Sequence, residues 1–218
     1  MRPGHDQGFE TFVSGSTSAE AAGLSIALAE ARPDGVRLLL LCGPPGVGKT
    51  HLLGAIVKSA RERCPAASII EISAAALVQR MVAGLKADVL RFELAPADWL
   101  VVDDLHVLSG KPVTQAEVGR LLTSVVDRGG RVACASGGSV ARIQALADTV
   151  QRMTTARIVE LGPPLPREMR RILVRHASGL GLRLSAATTA MLAAQGRGDV
   201  RCAIGALTRL QFERGLRT

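Results

Sequence analysis

Eight consecutive residues, Gly43 to Thr50 (GPPGVGKT), have the residue types and spacing of a phosphate-binding loop. Glycines let backbone N–H groups turn inward toward phosphate oxygens, and a helix that follows adds its positive N-terminal end. In this pattern Lys49 reaches the β- and γ-phosphates of a nucleotide, and the Thr50 hydroxyl is a ligand for Mg²⁺. The run therefore predicts a nucleotide site whose contacts are Gly43, Pro44, Gly46, Val47, Gly48, Lys49 and Thr50.

A second motif, Leu100 to Asp104 (LVVDD), is an apolar run that ends in two carboxylates. A strand that delivers Asp103 beside the phosphate loop makes it a ligand for Mg²⁺ or for its bound water. Asp104 is then placed to orient or deprotonate an attacking water. Alone, such a pair often marks only a solvated strand end, but together with the loop it predicts these functional roles for Asp103 and Asp104.

Two arginines lie where they could touch a phosphate from other parts of the chain. Arg152 precedes the last predicted strand, and Arg201 lies in the first turn of the last predicted helix. The planar, permanently charged guanidinium suits terminal phosphates. Because the chain is rich in arginine, composition alone favours an ordinary surface role for each.

The elements that must position these residues alternate along the chain. Near-continuous apolar strands separated by helices predict a parallel sheet covered on both faces, an α/β fold. Strands are predicted at 37–42, 68–72, 99–103, 131–136 and 157–161, and helices at about 18–32, 49–63, 74–86 and 115–128.

The alternation stops at a proline-rich hinge, residues 162–166, and the remainder is predicted to be helical. Pro166 suits the first turn of a helix, while Ser185 and Asp199 can cap two more, with Gly196 and Gly198 as breakers between them. These helices are predicted at 166–175, 186–195 and 200–214. We predict an α/β nucleotide-binding core at 1–162 and a small helical domain at 163–218.

Composition narrows the class of protein. With 218 residues, 47% of them hydrophobic, the chain has ample apolar material for a core, which excludes disorder. The net charge is +8, and the excess of positive charge lies after residue 119, where the sequence has 16 arginines and 6 acidic residues. That half indicates a phosphate-rich partner or, equally, a solvated surface. Four scattered cysteines, with no signal peptide or membrane span, predict a cytoplasmic protein with reduced, buried thiols.

Several strings together resemble the AAA+ domain of the bacterial replication initiators of the DnaA family. They are FETFVSG at 9–15, GKTHLL at 48–53, VQRMV at 78–82, DDLHVLSGKPVTQ at 103–115, QRM at 151–153, and GDVR with GAL at 198–201 and 205–207. The resemblance implies a five-stranded parallel-sheet P-loop NTPase core with a small C-terminal helical lid. It adds His51 to the nucleotide contacts and makes Arg201 a contact to ATP in the same subunit. It makes Arg152 an arginine finger presented to the ATP of a neighbouring subunit.

The function implied by the resemblance is an ATP/ADP switch in replication initiation or its regulation. Such a module hydrolyses ATP slowly with Mg²⁺, associates with itself or with DnaA-type subunits, and offers a surface for single-stranded DNA. The chain departs from the family at Ser136, which Gly rather than Asp follows, at Val113 in place of a basic residue, and at His106 in place of Gln. No segment resembles the family's duplex-reading domain.

Other functions remain open on the sequence. A regulator of the Hda type would stimulate hydrolysis on DnaA, although its clamp-binding string is not visible near His5. A helicase loader shares the same fold. A P-loop nucleotide kinase fits the length but not the acidic pair, and a DNA-coating protein would need neither Asp104 nor Arg152.

Overall fold

The computed structural model describes residues 7–32, 35–82, 93–94, 96–151 and 153–215. Its strands are β1 (Leu38–Gly43), β2 (Ile69–Ser73), β3 (Trp99–Asp103), β4 (Arg131–Gly137) and β5 (Ala156–Glu160). Its helices are α1 (Ala19–Ala29), α2 (Lys49–Arg63), α3 (Ala74–Val82), α4 (Pro112–Asp127), α5 (Gln144–Gln151), α6 (Pro166–Gly179), α7 (Ala186–Gly196) and α8 (Val200–Gly215). Short 3₁₀ helices span Leu105–Leu108 and Val140–Ile143.

The five strands form one parallel sheet in the order β2-β3-β4-β1-β5. This confirms the predicted α/β class, and every predicted strand end lies within one residue of the observed one. Strand β1 lies between β4 and β5, and Cys42 pairs with Ser136 in its register with β4. The carboxyl ends of β1, β3 and β4 therefore meet at one edge, where the phosphate loop follows β1.

The hydrophobic core covers both faces of this sheet, as the strand periodicity requires. On β1, Leu38 and Leu40 pack with residues of α3, α4 and α5 on one face. Leu39 and Leu41 pack with residues of α1 and α2 on the other. All four leucines are fully buried, so β1 and the loop that follows it are held rigidly from two sides.

The C-terminal helices, α6 to α8, form a separate and smaller cluster. Its buried members include Met169, Leu173, Leu192 and Leu207. The predicted helix starts are confirmed: Pro166 begins α6, and the Ser185 hydroxyl accepts a hydrogen bond from the Thr188 backbone N–H. The domain boundary at Gly162 stays a prediction, although it coincides with the gap between β5 and α6.

Several local expectations differ from the structure. Helix α4 begins at Pro112 rather than at residue 115, because proline is tolerated in the first turn of a helix. Helix α5 and both 3₁₀ helices are short, and the sequence did not indicate them. Gly196 remains helical, so the prediction that it breaks the chain is wrong, whereas the prediction for Gly198 is confirmed, because Gly198 and the preceding Arg197 are left-handed. The part of the predicted third helix after residue 82 lies outside the described residues.

The cysteines divide into two pairs. Cys42 and Cys134 are buried in strands, and burial raises the pKa of the Cys42 thiol to about 12. Cys64 and Cys202 are exposed, so the prediction of buried thiols is wrong for these two. Cys64 follows the last residue of α2, and Cys202 lies in the outer first turn of α8. Within the described ranges, no helix is long and apolar enough to cross a bilayer.

Candidate nucleotide-binding site

The phosphate loop, residues 43–50, joins β1 to α2 as the sequence predicts. Gly46 and Gly48 have φ angles of 73° and 103°, in the left-handed region that side chains disfavour. Gly48 is the N-cap of α2, so the loop runs directly into the positive end of that helix. The backbone therefore has the shape and the polarity that an anionic phosphate needs.

The Lys49 side chain is drawn back across this loop. Its Nζ donates hydrogen bonds to the carbonyl oxygens of Gly43 and Pro44, at 2.8 and 2.7 Å, and the residue is only 7% exposed. Burial lowers the pKa of the Lys49 ammonium, the nearby Arg201 guanidinium lowers it further, and Asp103 opposes both effects. A phosphate at the loop would restore a favourable charge environment for this cation.

The Thr50 hydroxyl and Asp103 carboxylate form the predicted oxygen pair. Thr50 Oγ1 donates to Asp103 Oδ2 at 2.9 Å, and Asp103 Oδ1 accepts from the Asp104 backbone N–H at 2.7 Å. Within the described ranges, no group of three or more His, Cys, Asp or Glu side chains could hold a metal by itself. The pair nevertheless fits Mg²⁺, which at phosphate sites takes only one or two protein oxygens.

Asp104 and His106 lie together beyond the end of β3. Asp104 has a φ of 62°, unusual for a residue other than glycine, and its side chain is 58% exposed. His106 Nδ1 is 3.7 Å from Asp104 Oδ1. A Cβ on Gly137 would come within 3.1 Å of the same His106 nitrogen, so the imidazole covers the end of β4 where the sequence lacks an acid.

Ser136, the residue before Gly137, is fully buried at the end of β4. Its hydroxyl oxygen has no hydrogen-bond partner among the described residues. Because an unsatisfied buried hydroxyl is costly, a polar group at this edge of the sheet would be stabilising.

A cavity of about 420 Å³ opens beside the loop, between the N-terminal segment (residues 7–18), the start of α2 and the C-terminal helices. It is large enough for part of a nucleotide. Its lining is mainly apolar and comprises Gln7, Thr11, Phe12, Val13, Thr17, Ser18, Val47, Gly48, His51, Gly162, Pro164, Ile172, Arg175, His176, Gly179, Val200 and Ile204.

His51 is placed on the wall of this cavity rather than among the loop glycines. Its Nε2 lies 3.1 Å from the Gly8 carbonyl oxygen and 3.1 Å from Thr11 Oγ1. The ring meets Phe12 edge-on, with 5.4 Å between centroids. Burial lowers the pKa of His51, so the neutral ring fastens the N-terminal segment to α2. A direct contact between His51 and nucleotide stays a prediction.

Helix α8 closes the cavity and brings Arg201 to the loop. The Val200 backbone N–H donates to the Gly46 carbonyl at 3.0 Å. Asp199 Oδ1 caps the helix by accepting from the Arg201 N–H at 2.7 Å, and a Cβ on Gly46 would overlap that oxygen. Arg201 is exposed and close enough to lower the pKa of Lys49. Arg152 lies outside the described residues.

One important residue, Glu168, escaped the sequence reasoning. Its Oε1 accepts from the Ser16 backbone N–H at 2.9 Å, and its Oε2 accepts from the Leu165 N–H at 2.8 Å. These backbone hydrogen bonds hold the pKa of the buried carboxyl below its usual range. Gly15 has no side chain where Glu168 packs. A glutamate three residues into the turn that begins at Pro166 was the available signal.

Comparisons with known proteins agree with this geometry. The family model for the bacterial DnaA ATPase domain matches residues 4–159. The chromosomal replication initiator protein DnaA of Rippkaea orientalis is 30% identical over 205 residues, which cover 92% of this chain and 45% of that protein. The Caulobacter vibrioides DnaA is 35% identical over 127 residues, covering 57% and 26%. The chain thus spans about half the length of the curated relatives it matches over most of its residues.

Solved structures show the same fold at lower identity. Domain III of the Thermotoga maritima replication initiation protein DnaA superimposes with a TM-score of 0.84 at 21% identity, covering 100% of this chain and 92% of that one. A replication initiator DnaA bound to AMPPCP and single-stranded DNA gives 0.77 at 22% identity, with 98% and 69% covered. A Thermotoga maritima RuvB variant gives 0.70 at 20% identity, with 94% and 64% covered.

Proposed function

Because this chain belongs to the bacterial DnaA ATPase-domain family, we propose that it is an ATP/ADP-switched AAA+ module of replication initiation or its regulation. The observation that carries the proposal is the convergence of Lys49, Thr50 and Asp103 at one sheet edge, with Arg201 brought to them by α8. The neighbouring cavity supplies space for the base and sugar. A site with one wall from the core and one from the C-terminal helices suits a ligand that changes how the two are held.

In this proposal the loop N–H groups and Lys49 bind the phosphates, and Arg201 contacts the terminal phosphate within the same subunit. Thr50 and Asp103 would hold Mg²⁺, which neutralises phosphate charge when bound. Asp104, exposed at the end of β3, accepts a proton from the attacking water. Slow ATP hydrolysis then resets the module.

The proposal extends to assembly. Arg152 would act as an arginine finger on the ATP of a neighbouring subunit, either a second copy or a DnaA-type chain. The arginine-rich half of the sequence supports binding of single-stranded DNA, a ligand present in one structurally similar initiator.

Replacement of Lys49 tests the nucleotide site. We expect Lys49→Ala to weaken ATP and ADP binding at least about tenfold, since a charged hydrogen-bonding contact to phosphate is lost. Titration calorimetry measures the affinity, and light scattering of the same samples in ATP and in ADP measures assembly. We expect ATP-dependent growth of the wild type that both Lys49→Ala and Arg152→Ala abolish.

The matched control is Lys111→Ala, which removes an equal charge from an exposed position at the start of α4. Its affinity for ATP should equal that of the wild type. Unchanged ATP affinity in Lys49→Ala would contradict the proposed site, and equal scattering in ATP and ADP would contradict the switch.

A further inference from the structure

The imidazole of His106 occupies a space at the edge of the sheet that a glycine leaves open. A Cβ on Gly137 would lie 3.1 Å from His106 Nδ1 and 3.2 Å from its Cγ, so any side chain at position 137 would crowd the ring. Because glycine ends β4, a histidine from the segment after β3 can lie over the end of that strand.

The ring of His106 lies on the side of the sheet that carries helix α2. Ala135 of β4 packs in the cluster formed with the buried residues of α2. Because side chains alternate between the two faces along a strand, position 137 faces the same side. Asp103, at the end of β3, is also on this side, where its carboxylate accepts a hydrogen bond from Thr50 of α2 at 2.9 Å. The ring and the oxygen pair of the nucleotide site therefore share one face.

The same place adjoins the beginning of the phosphate loop. Gly137 pairs with Gly43, the first residue of the loop, in the register between β4 and β1. The Gly43 carbonyl oxygen in turn accepts a hydrogen bond from Lys49 Nζ at 2.8 Å. Strand β4 lies between β3 and β1 in the sheet. The ring of His106 therefore has the acidic end of one strand on one side and the phosphate loop on the other.

A short, anchored turn holds His106 in this position. Asp104, with its left-handed φ of 62°, ends the strand and begins the 3₁₀ helix Leu105–Leu108. Leu105 and Leu108 of this helix are fully buried, whereas the His106 side chain between them is 43% exposed. The ring is thus fixed at its base and open to water. A group that orients a reacting water needs both properties.

We propose that His106 and Asp104 together hold the water that attacks the terminal phosphate. His106 Nδ1 and Asp104 Oδ1 are 3.7 Å apart, which is too far for a direct hydrogen bond but close enough for one water to bond to both. In the tautomer with a proton on Nδ1, the imidazole donates to the water oxygen, while the carboxylate accepts a proton of the same water. The inference rests on the proposed function for the reaction, and it adds a second residue at the attacking water.

In this step the water oxygen bonds to the γ-phosphorus while the bond from that phosphorus to the bridging oxygen breaks, and ADP leaves with the electron pair. The proton of the water passes to Asp104, whose exposed carboxylate returns it to solvent. His106 exchanges no proton. Its N–H group occupies one lone pair of the water oxygen, so that the other lone pair is directed at phosphorus.

The test separates the attack of water from the binding of nucleotide. Single turnovers of radiolabelled ATP at saturating protein give the hydrolysis rate. Calorimetry gives the affinities for ATP, for ADP, and for ADP with aluminium fluoride, which imitates the phosphoryl group in transfer. We expect His106→Leu to lower the rate about ten- to a hundredfold, because one hydrogen bond to the reacting water is lost. Its affinities for ATP and ADP should be unchanged, while the gain in affinity from aluminium fluoride falls with the rate.

Two further variants test the N–H group and the position of the ring. His106→Gln keeps an N–H donor in its amide, so it should retain more of the rate, and more of the gain from aluminium fluoride, than His106→Leu. Gly137→Ala should lower both quantities, since its Cβ displaces the ring without removing it. The matched control is Gly23→Ala in α1, where a Cβ meets nothing within 4 Å, and it should behave as the wild type.

Equal losses in His106→Leu and His106→Gln would overturn the proposal, since the N–H donor would then have no effect. If the affinities for ADP with and without aluminium fluoride fall in parallel, the ring only fills the space over Gly137, and the proposal is wrong. Hydrolysis by the wild type that His106→Leu leaves unchanged would overturn this inference alone. A wild type that binds ATP but does not hydrolyse it would contradict the proposed function as well.

Discussion

The α/β core and the C-terminal helices bound the same cavity but are stabilised in different ways. The core has hydrophobic clusters on both faces of its sheet, whereas the helices share one small cluster. Their connection to the core includes a few polar contacts: Glu168 to Ser16, Thr17 Oγ1 to the Pro163 carbonyl, and Val200 to Gly46. The contrast indicates that the phosphate loop is fixed by packing, while the opposite wall is held by bonds that can break without unfolding the core.

The largest effects are expected from substitutions that create a cavity in the core or in the cluster of the C-terminal helices, and they test whether the two regions differ in stability. Leu40→Ala in β1 and Leu173→Ala in α6 each remove a fully buried side chain. We expect Leu40→Ala to lower the free energy of unfolding of the core by about 2–5 kcal/mol. Leu173→Ala should instead produce an early transition of the helices and leave the main urea midpoint unchanged. Fluorescence of Trp99, which lies in the core, and circular dichroism of the helices would separate the two transitions.

If Leu173→Ala lowers the Trp99 midpoint as much as Leu40→Ala does, then the chain unfolds as one unit. The two regions would then differ in packing but not in cooperativity.

Glu168 sharpens the comparison at the point where the two regions join. In Glu168→Gln an amide replaces a carboxylate that accepts from two backbone N–H groups, so its NH₂ group faces a donor. We expect a cost of about 1–3 kcal/mol in the attachment of the helices, with the core unaffected. Faster amide hydrogen exchange at Ser16 and Leu165 would measure it.

The control for this variant is Glu71→Gln, which breaks a surface pair with Arg61 and should change stability by less than about 1 kcal/mol. Unchanged exchange at Ser16 in Glu168→Gln would show that packing, rather than this carboxylate, holds the helices.

The smallest effect expected is a pH dependence of the free energy of unfolding, which arises at His51 in the core. Burial holds the pKa of His51 below its ordinary value of about 6.5, so the unfolded chain binds the proton more readily. Stability should therefore be complete above that pH and decline gradually as the pH falls below it. Urea titrations between about pH 7 and pH 5 should show a steeper decline for the wild type than for His51→Gln. Parallel curves would contradict the assignment.

Strands and phosphate loop were predictable because their signals are local. Apolar runs such as Leu38 to Cys42 define buried parallel strands, and the loop pattern fixes its own turn and the helix after it. The caps at Ser185 and Asp199 were equally readable, since each contacts a backbone N–H within three residues.

What the sequence could not provide depends on contacts between distant segments. Glu168 gave only the signal of an early helical acid, whereas its binding to Ser16 requires the helices to fold back on the N-terminal segment. His51 belongs to the loop string by sequence, yet its ring contacts Gly8 and Thr11. The contact of His106 with Gly137 likewise appears only when β3 and β4 end side by side.

The closeness of Gly46 to Asp199 has a consequence for how this chain can change. Any side chain at position 46 would occupy the place of the carboxylate that caps α8. The residue at position 46 and the residue at position 199, though far apart in the chain, therefore constrain each other: an acidic cap at 199 requires glycine at 46. A substitution that adds a side chain at position 46 would therefore displace the Asp199 carboxylate from the N-terminus of α8. The helix start that presents Arg201 would then lose its cap.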